Sequence, residues 1–270
     1  MPPIDIHCHI LPSLDDGPRD TGESIAMARA AHEDGTTVIV ATPHQRDVML
    51  NSTVEKARDL TGMLNEALMR SASTGSRPPR ILLGMENHIE PDLPDWLDQG
   101  KALTLNRTRF ILAEPPFTGN PRYVADVLER LILKRLVPVI AHPERNVVFQ
   151  RRPKLLRGMI DAGMVMQVTA GSFTGAHGEA AERAALSFLR HGLIHFAASD
   201  MHNSSGPRSP HMRAAVEKVA ELAGAENARL LFEDNPQSIL EDRRPRAMLV
   251  RSAGPAKWWL FGRAARQTRS

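Results

Sequence analysis

The sequence contains a single cysteine, Cys8, in 270 residues. No internal disulfide can form, which suits a reducing compartment and leads us to expect a cytoplasmic chain. No apolar run approaches the roughly 18–20 residues that cross a bilayer, and the N-terminus lacks the basic segment and apolar stretch of an export signal. Aromatic residues make up only 4%, with one tyrosine among them. That scarcity bears on the formal charge of +3, which by itself would suggest a nucleic-acid binder. Such a surface needs a basic stripe interleaved with stacking rings. Here Arg251, Lys257, Arg263, Arg266 and Arg269 lie past residue 250 with no acid beside them, and removing these five charges from the net +3 leaves −2 on residues 1–250. The body is acidic, and no nucleic-acid partner is expected.

What is present is enough apolar residue for one large core, 42% of the chain. We expect one domain over residues 1–246 and a basic, tryptophan-containing tail over 247–270. Apolar runs of strand character cover residues 4–9, 37–42, 80–85, 109–113, 137–141, 164–168 and 194–198, and they alternate with helical patterns as parallel α/β folds do. Asp20 followed by Glu23 resembles a capping box, and Gly35 is a plausible stop for that helix. Ala57, Leu60, Leu64 and Leu68 make one helical stripe, and Val124, Val127, Leu128 and Leu131 make another. Further helices are predicted over 153–161, 179–190, 210–222 and 226–232. Residues 87–108 break the alternation and are expected to cross one barrel end. No internal repeat is found.

Chemistry-bearing side chains gather where these strands end, the place where parallel α/β folds carry function. His7 and His9 project to one face of the first strand and Cys8 to the other. His44, Glu86, Glu114 and His142 follow four further strands, and Asp200 with His202 follows the last. Only the run ending near Thr169 carries none. Isolated buried acids and histidines cost several kcal/mol each unless paired or coordinated, so this regularity is not expected of ordinary loop residues. With Asp16 on the first loop there are nine nitrogen or oxygen ligands, too many for one ion, and a centre of two or three metals follows. His88 could line the same pocket without binding metal. Asp15 is read as a turn or cap, and His32, His177, His191, His195 and His211 as surface or packing residues. Position 14 is leucine, so the C-x5-R loop of cysteine-dependent phosphatases is absent and Cys8 receives no catalytic role.

His7-Cys8-His9, Asp15-Asp16-Gly17, Thr42-Pro43-His44, Glu86, Glu114, Ala141-His142-Pro143-Glu144-Arg145 and Ser199-Asp200-Met201-His202-Asn203 together make a recognisable pattern. The chain resembles the polymerase and histidinol phosphatase (PHP) superfamily. More narrowly, it is similar to the bacterial manganese-dependent protein-tyrosine phosphatases of capsule and exopolysaccharide loci (CpsB/CapC-like), over about residues 3–243. The resemblance implies a distorted (β/α)7 barrel with its metal centre at the C-terminal ends of the strands. It implies that His7, His9, Glu86 and Asp200 hold one metal, that Glu86 bridges to a second held also by Glu114 and His142, and that Asp16, His44 and His202 hold the third. Arg145 and Arg208 match the family's phosphate-contacting arginines. Manganese is the metal implied, although Fe, Zn and Co tolerate the same mixed ligands. The implied substrate is a phosphotyrosine protein, the tail of a bacterial tyrosine kinase that governs capsule or exopolysaccharide synthesis. Histidinol phosphate or another small phosphomonoester is the alternative substrate, and a non-catalytic, metal-stabilised binding module is the alternative of another class.

Two stretches depart from the family pattern. Asn87 and His88 stand where relatives often carry aromatic residues, and residues past about 246 have no counterpart. In that tail Trp258, Trp259, Leu260 and Phe261 are flanked by Lys257, Arg263, Arg266 and Arg269. The cluster reads as a basic end, as a plug against the barrel or a second subunit in a homo-oligomer, or as a peripheral contact with the inner membrane.

Overall fold

The computed structural model describes residues 2–72, 77–117 and 122–249. Eight strands are found among them: β1 (Ile4–Cys8), β2 (Val38–Ala41), β3 (Arg80–Leu83), β4 (Glu86–His88), β5 (Phe110–Glu114), β6 (Val137–Ala141), β7 (Val165–Thr169) and β8 (Phe196–Ala198). Every pairing is parallel, in the orders β1-β2-β3 and β4-β5-β6-β7-β8. The sequence predicts seven strands; β3 falls within the run at 80–85, and β4, just past that run, continues the same stave. Ala41 stands opposite Leu83, and three residues further along both chains His44 stands opposite Glu86, so the register runs through the gap unchanged. The interruption falls at Gly84. A Cβ there would lie 2.8 Å from Leu105 Cδ2 and 3.1 Å from Val40 Cγ1. First and last strands close the ring, as the Asp200 amide donates to His7 O at 2.9 Å and the His9 amide to Met201 O at 2.8 Å. The result is a distorted (β/α)7 barrel.

Eleven α-helical segments surround the staves among the described residues: α1 (Thr21–Glu33), α2 (Gln45–Asn51), α3 (Val54–Ser71), α4 (Leu93–Asp98), α5 (Arg122–Leu133), α6 (Val147–Arg151), α7 (Lys154–Asp161), α8 (Glu179–Arg190), α9 (Met212–Ala223), α10 (Ala225–Arg229) and α11 (Asn235–Leu240). Asp20 caps α1 by accepting the Glu23 amide, and Gly35 follows the C-cap Asp34 at φ 103°. Only half of the expected box forms, because the Glu23 carboxylate takes the amide of Arg19 instead of Asp20. The helix predicted over 226–232 continues through a π turn, Leu230–Asp234, into α11. The stretch 87–108 also differs from expectation. It starts inside β4, forms α4, and ends by sending Leu105 into the barrel interior.

Inside the barrel, Ile4, Ile6, Phe110, Leu112, Val165 and Phe196 pack against one another, with Leu105 and Ile239 joining them. Each such side chain removed from water contributes about 1.5–3 kcal/mol. A bulge in β1 lets this hydrophobic layer and the polar layer above it share one strand. Asp5 pairs with Ile39 but Cys8 with Ala41, three residues against two. Ile6 and His7 therefore both serve the interior side although they are consecutive, and Cys8 packs outward among Met27, Ala31 and Ile39.

Candidate metal centre

Above that apolar layer the inward positions turn polar. Along β5 the inward series Phe110, Leu112 continues to Glu114, and along β8 the series Phe196, Ala198 continues to Asp200, as a period of two requires. His142 follows the inward pair Val139 and Ala141 out of phase, and there the backbone bends, with φ 31°; Asp200, in phase, is also left-handed at φ 52°. Left-handed conformations cost a non-glycine residue about 1 kcal/mol or more and persist where the surroundings impose them.

All nine predicted ligands meet at this end of the barrel. His7 Nε2 and His9 Nε2 are 3.2 Å apart. Glu86 Oε2 lies 3.4 Å from the first, 3.3 Å from the second and 3.0 Å from His44 Nδ1. Asp200 Oδ1 lies 3.4 Å and 3.6 Å from the same two histidines. On its other side Glu86 presents Oε1 to His142 Nε2 at 2.9 Å, which in turn is 3.5 Å from Glu114 Oε1. Asp16 Oδ1 is 3.5 Å from His44 Nε2 and 3.2 Å from His202 Nε2. Glu86 thus faces two clusters at once, and the third forms around Asp16, His44 and His202 with His9 close by.

This donor set fits divalent metal ions. Glu86 Oε2, His44 Nδ1 and His202 Nε2 are buried with no hydrogen bond, and buried polar atoms left without partners are costly. Opposed imidazole nitrogens among carboxylates, all within coordinating reach of a common point, are satisfied together by a cation.

Three rings are held by the nitrogen that faces away from the cluster. His9 Nδ1 donates to Asp15 Oδ2 at 2.7 Å, and the same carboxylate accepts the Gly17 and His44 amides at 3.0 Å each. His7 Nδ1 donates to Gln167 Oε1 at 3.0 Å, and His202 Nδ1 to Asp200 O at 2.8 Å. Such bonds fix tautomer and ring orientation so that Nε2 points into the cluster, where a metal would bind. Asp15, read from sequence as a turn residue, is therefore an orienting carboxylate. Gln167 carries no sequence signal beyond being a polar residue inside an otherwise apolar strand whose end has no ligand. His88, left open by the sequence, has Nε2 3.0 Å from Glu114 Oε2 and joins the rim of the cluster. His195 accepts the Met166 amide at 3.2 Å and His191 bonds Ser187 O at 2.8 Å, both packing roles.

Charge and burial set the protonation states. Burial pushes His7 down, but the carboxylates of Glu86 and Asp200 outweigh it and hold the imidazole up at about 9. Burial would raise Glu86, yet the charge of His7, the hydrogen bond with His142 and the close approach of His44 keep it well below the usual carboxylate range. Cys8 moves the other way: burial and then the charges of Asp5, Asp200 and Asp15 push its thiol well up. A fully buried thiol of that kind is no nucleophile.

Both predicted arginines reach the cluster edge. Arg145, at the end of the turn Pro143–Arg145, pairs with Asp200 Oδ2. Arg208 Nη1 donates to Asp16 Oδ2 at 2.9 Å. Beside them opens a cavity of about 570 Å³ bounded by Asp16, His44, His88, Glu114, Phe117 and Tyr123.

Comparison with known proteins gives consistent results. The family described as capsular polysaccharide synthesis, CpsB/CapC, matches residues 3–241. The tyrosine-protein phosphatase YwqE of Bacillus subtilis (strain 168) is 38% identical over 240 residues, covering 89% of this chain and 92% of the relative. The tyrosine-protein phosphatase CpsB of Streptococcus pneumoniae is 32% identical over 245 residues, covering 89% and 99%. Among solved structures, the work on YwqE and CpsB as unique metal-dependent tyrosine phosphatases provides a match with a TM-score of 0.82 at 36% identity, over 91% of this chain and 97% of the other.

Proposed function

Since this chain belongs to the CpsB/CapC family of capsular polysaccharide synthesis and is a metal-dependent tyrosine phosphatase, we propose how its residues divide the work. His7, His9, Glu86 and Asp200 hold one ion; Glu86, Glu114 and His142 hold a second; Asp16, His44 and His202 hold a third. The observation that carries this is Glu86, whose two oxygens face separate groups of ligands. Manganese is the metal we expect, with Fe, Zn and Co as substitutes. Bound divalent ions neutralise a phosphoryl group and acidify water near neutral pH.

The chain supplies the rest. Arg145 and Arg208, already tethered to Asp200 and Asp16, turn their remaining N–H donors toward non-bridging phosphoryl oxygens, for which a planar guanidinium is suited. A tyrosine leaving group has a pKa of about 10 and departs with little acid assistance, so no proton donor is required of His88 or His177. Cys8, facing away, forms no covalent intermediate. The natural substrate is the phosphotyrosine tail of a bacterial tyrosine kinase that regulates capsule or exopolysaccharide synthesis.

An assay on phosphotyrosine peptide, phosphoserine peptide and histidinol phosphate across a metal panel tests this. Chelation should abolish phosphotyrosine turnover and Cys8→Ser should retain most of it. Thiol alkylation killing an enzyme that survives chelation would overturn the mechanism, and a higher kcat/KM for histidinol phosphate would move the substrate to small phosphomonoesters.

No helix among the described residues is long and apolar enough to cross a membrane. The phosphatase domain is assigned to residues 1–246, and the tail, 247–270, lies outside the described residues from 250 onward. For its Trp258-Trp259-Leu260-Phe261 cluster and four flanking cations we propose peripheral docking on anionic lipid. About 1 kcal/mol per cation gives roughly 4 kcal/mol at most, enough for reversible attachment beside a membrane-bound kinase. Truncation after Ser252 should leave turnover of a small phosphotyrosine substrate unchanged and abolish co-sedimentation with anionic vesicles. Equal sedimentation of both forms would sink the idea, and a change of oligomeric state on truncation would point to a subunit contact instead.

A further inference from the structure

The cavity shares Asp16, His44 and Glu114 with the ligand cluster, so the ester substituent of a phosphoryl group seated there would have this space beside it. The cavity lining combines polar and charged side chains, among them Asp16, Arg46, Asp47 and Glu90, with a hydrocarbon part made of Ile89, Pro115, Pro116, Phe117 and Tyr123. Phe117 stands out there because it is 47% exposed yet held on a defined frame. Its ring lies parallel to that of His142, with centroids 5.5 Å apart and planes inclined by 4°. The Arg145 guanidinium carbon sits 5.4 Å from the centroid of the same ring. These contacts connect Phe117 with one side chain of the ligand cluster and one of the proposed phosphate clamp. Asn87, beside the bridging glutamate, offers no surface to the cavity, because its amide is turned to the carbonyls of Met85, Leu103 and Leu112.

We propose that Phe117, backed by Tyr123 and the two prolines, is the surface on which the phenyl ring of phosphotyrosine stacks, and that it makes this site selective for aryl over alkyl phosphates. The proposal rests on the tyrosine-phosphatase assignment and locates its selectivity. Aromatic rings attract at centroid separations of about 4.5–7 Å, parallel and offset or edge to face. An exposed ring already ordered against His142 and Arg145 loses little freedom when a substrate covers it. Phosphoserine has no ring to place there and gains nothing from the wall.

Non-hydrolysable probes separate this contact from the chemistry. Benzylphosphonate and methylphosphonate share the phosphonate and differ by the ring, so the ratio of their inhibition constants reads the wall alone. The metal-loaded full-length enzyme should favour benzylphosphonate, and Phe117→Ala should reduce that preference about tenfold. Phe117→Tyr should restore it. Elemental analysis of each variant checks that the metals are retained; if Phe117→Ala loses them through its contact with His142, Phe117→Leu and Tyr123→Ala carry the test, each expected to lower the ratio. An unchanged ratio in metal-replete variants, or no preference in the parent enzyme, would overturn the proposal. Failure of the parent enzyme to hydrolyse a phosphotyrosine peptide would instead overturn the assignment on which it rests.

Discussion

Glu86 is buried with one oxygen turned to His7, His9 and His44 and the other to His142. Replacing it by glutamine removes the charge and turns one acceptor into a donor, with little change in shape. Glu86→Gln should therefore lower metal affinity by more than about 100-fold, beyond the 10–100-fold typical of changes to outer partners. Arg145→Ala should slow turnover with metal content intact. Elemental analysis of the purified variants distinguishes the two, and a fully loaded Glu86→Gln enzyme of ordinary rate would remove the residue from the centre. At this scale the sequence was informative where a side chain's role follows from its place at a strand end, as for His44, Glu114 and Asp200. It was silent where the role depends on which way a ring is turned. Asp15 lies six residues from His9 and Gln167 lies 160 from His7, and no spacing rule connects either pair.

Among the elements, the broken stave β3–β4 is the most constrained. Leu105 fills the space that a side chain at position 84 would need, and Glu86 follows two residues later in unchanged register. Gly84→Ala should cost about 1–3 kcal/mol through overpacking, seen as a lower urea midpoint, and should weaken metal retention by shifting Glu86. An unaltered midpoint would mean that Leu105 yields freely. The break itself could not be read from the run at 80–85, since its cause is a leucine some twenty positions later. Helices show the same contrast. The stripe Val124, Val127, Leu128, Leu131 is wholly buried in α5, and α8 occupies the span its pattern predicts. In α2, by contrast, only Gln45 and Val48 are buried, too few apolar positions to register as a period. The bulge in β1 escaped for a related reason: strict alternation correctly put His7 and His9 on one face, but Ile6 shares the interior with them only because the partner strand is one residue shorter.

For the molecule as a whole, the closure of β1 against β8 has a consequence for how the protein comes into being. Asp200 and His202, which complete the cluster of His7 and His9, follow those histidines by 193 residues and leave the ribosome correspondingly later. Contacts that distant in sequence are slow to form. Until β8 arrives, the outer edge of β1 offers its amides and carbonyls to any neighbouring strand, the situation in which nascent chains associate wrongly. The histidines meanwhile have only part of their coordination sphere. Catalytic competence is thus acquired in one late step, when the last stave docks on the first, and an interrupted translation product carries the family's opening motif without the means to use it.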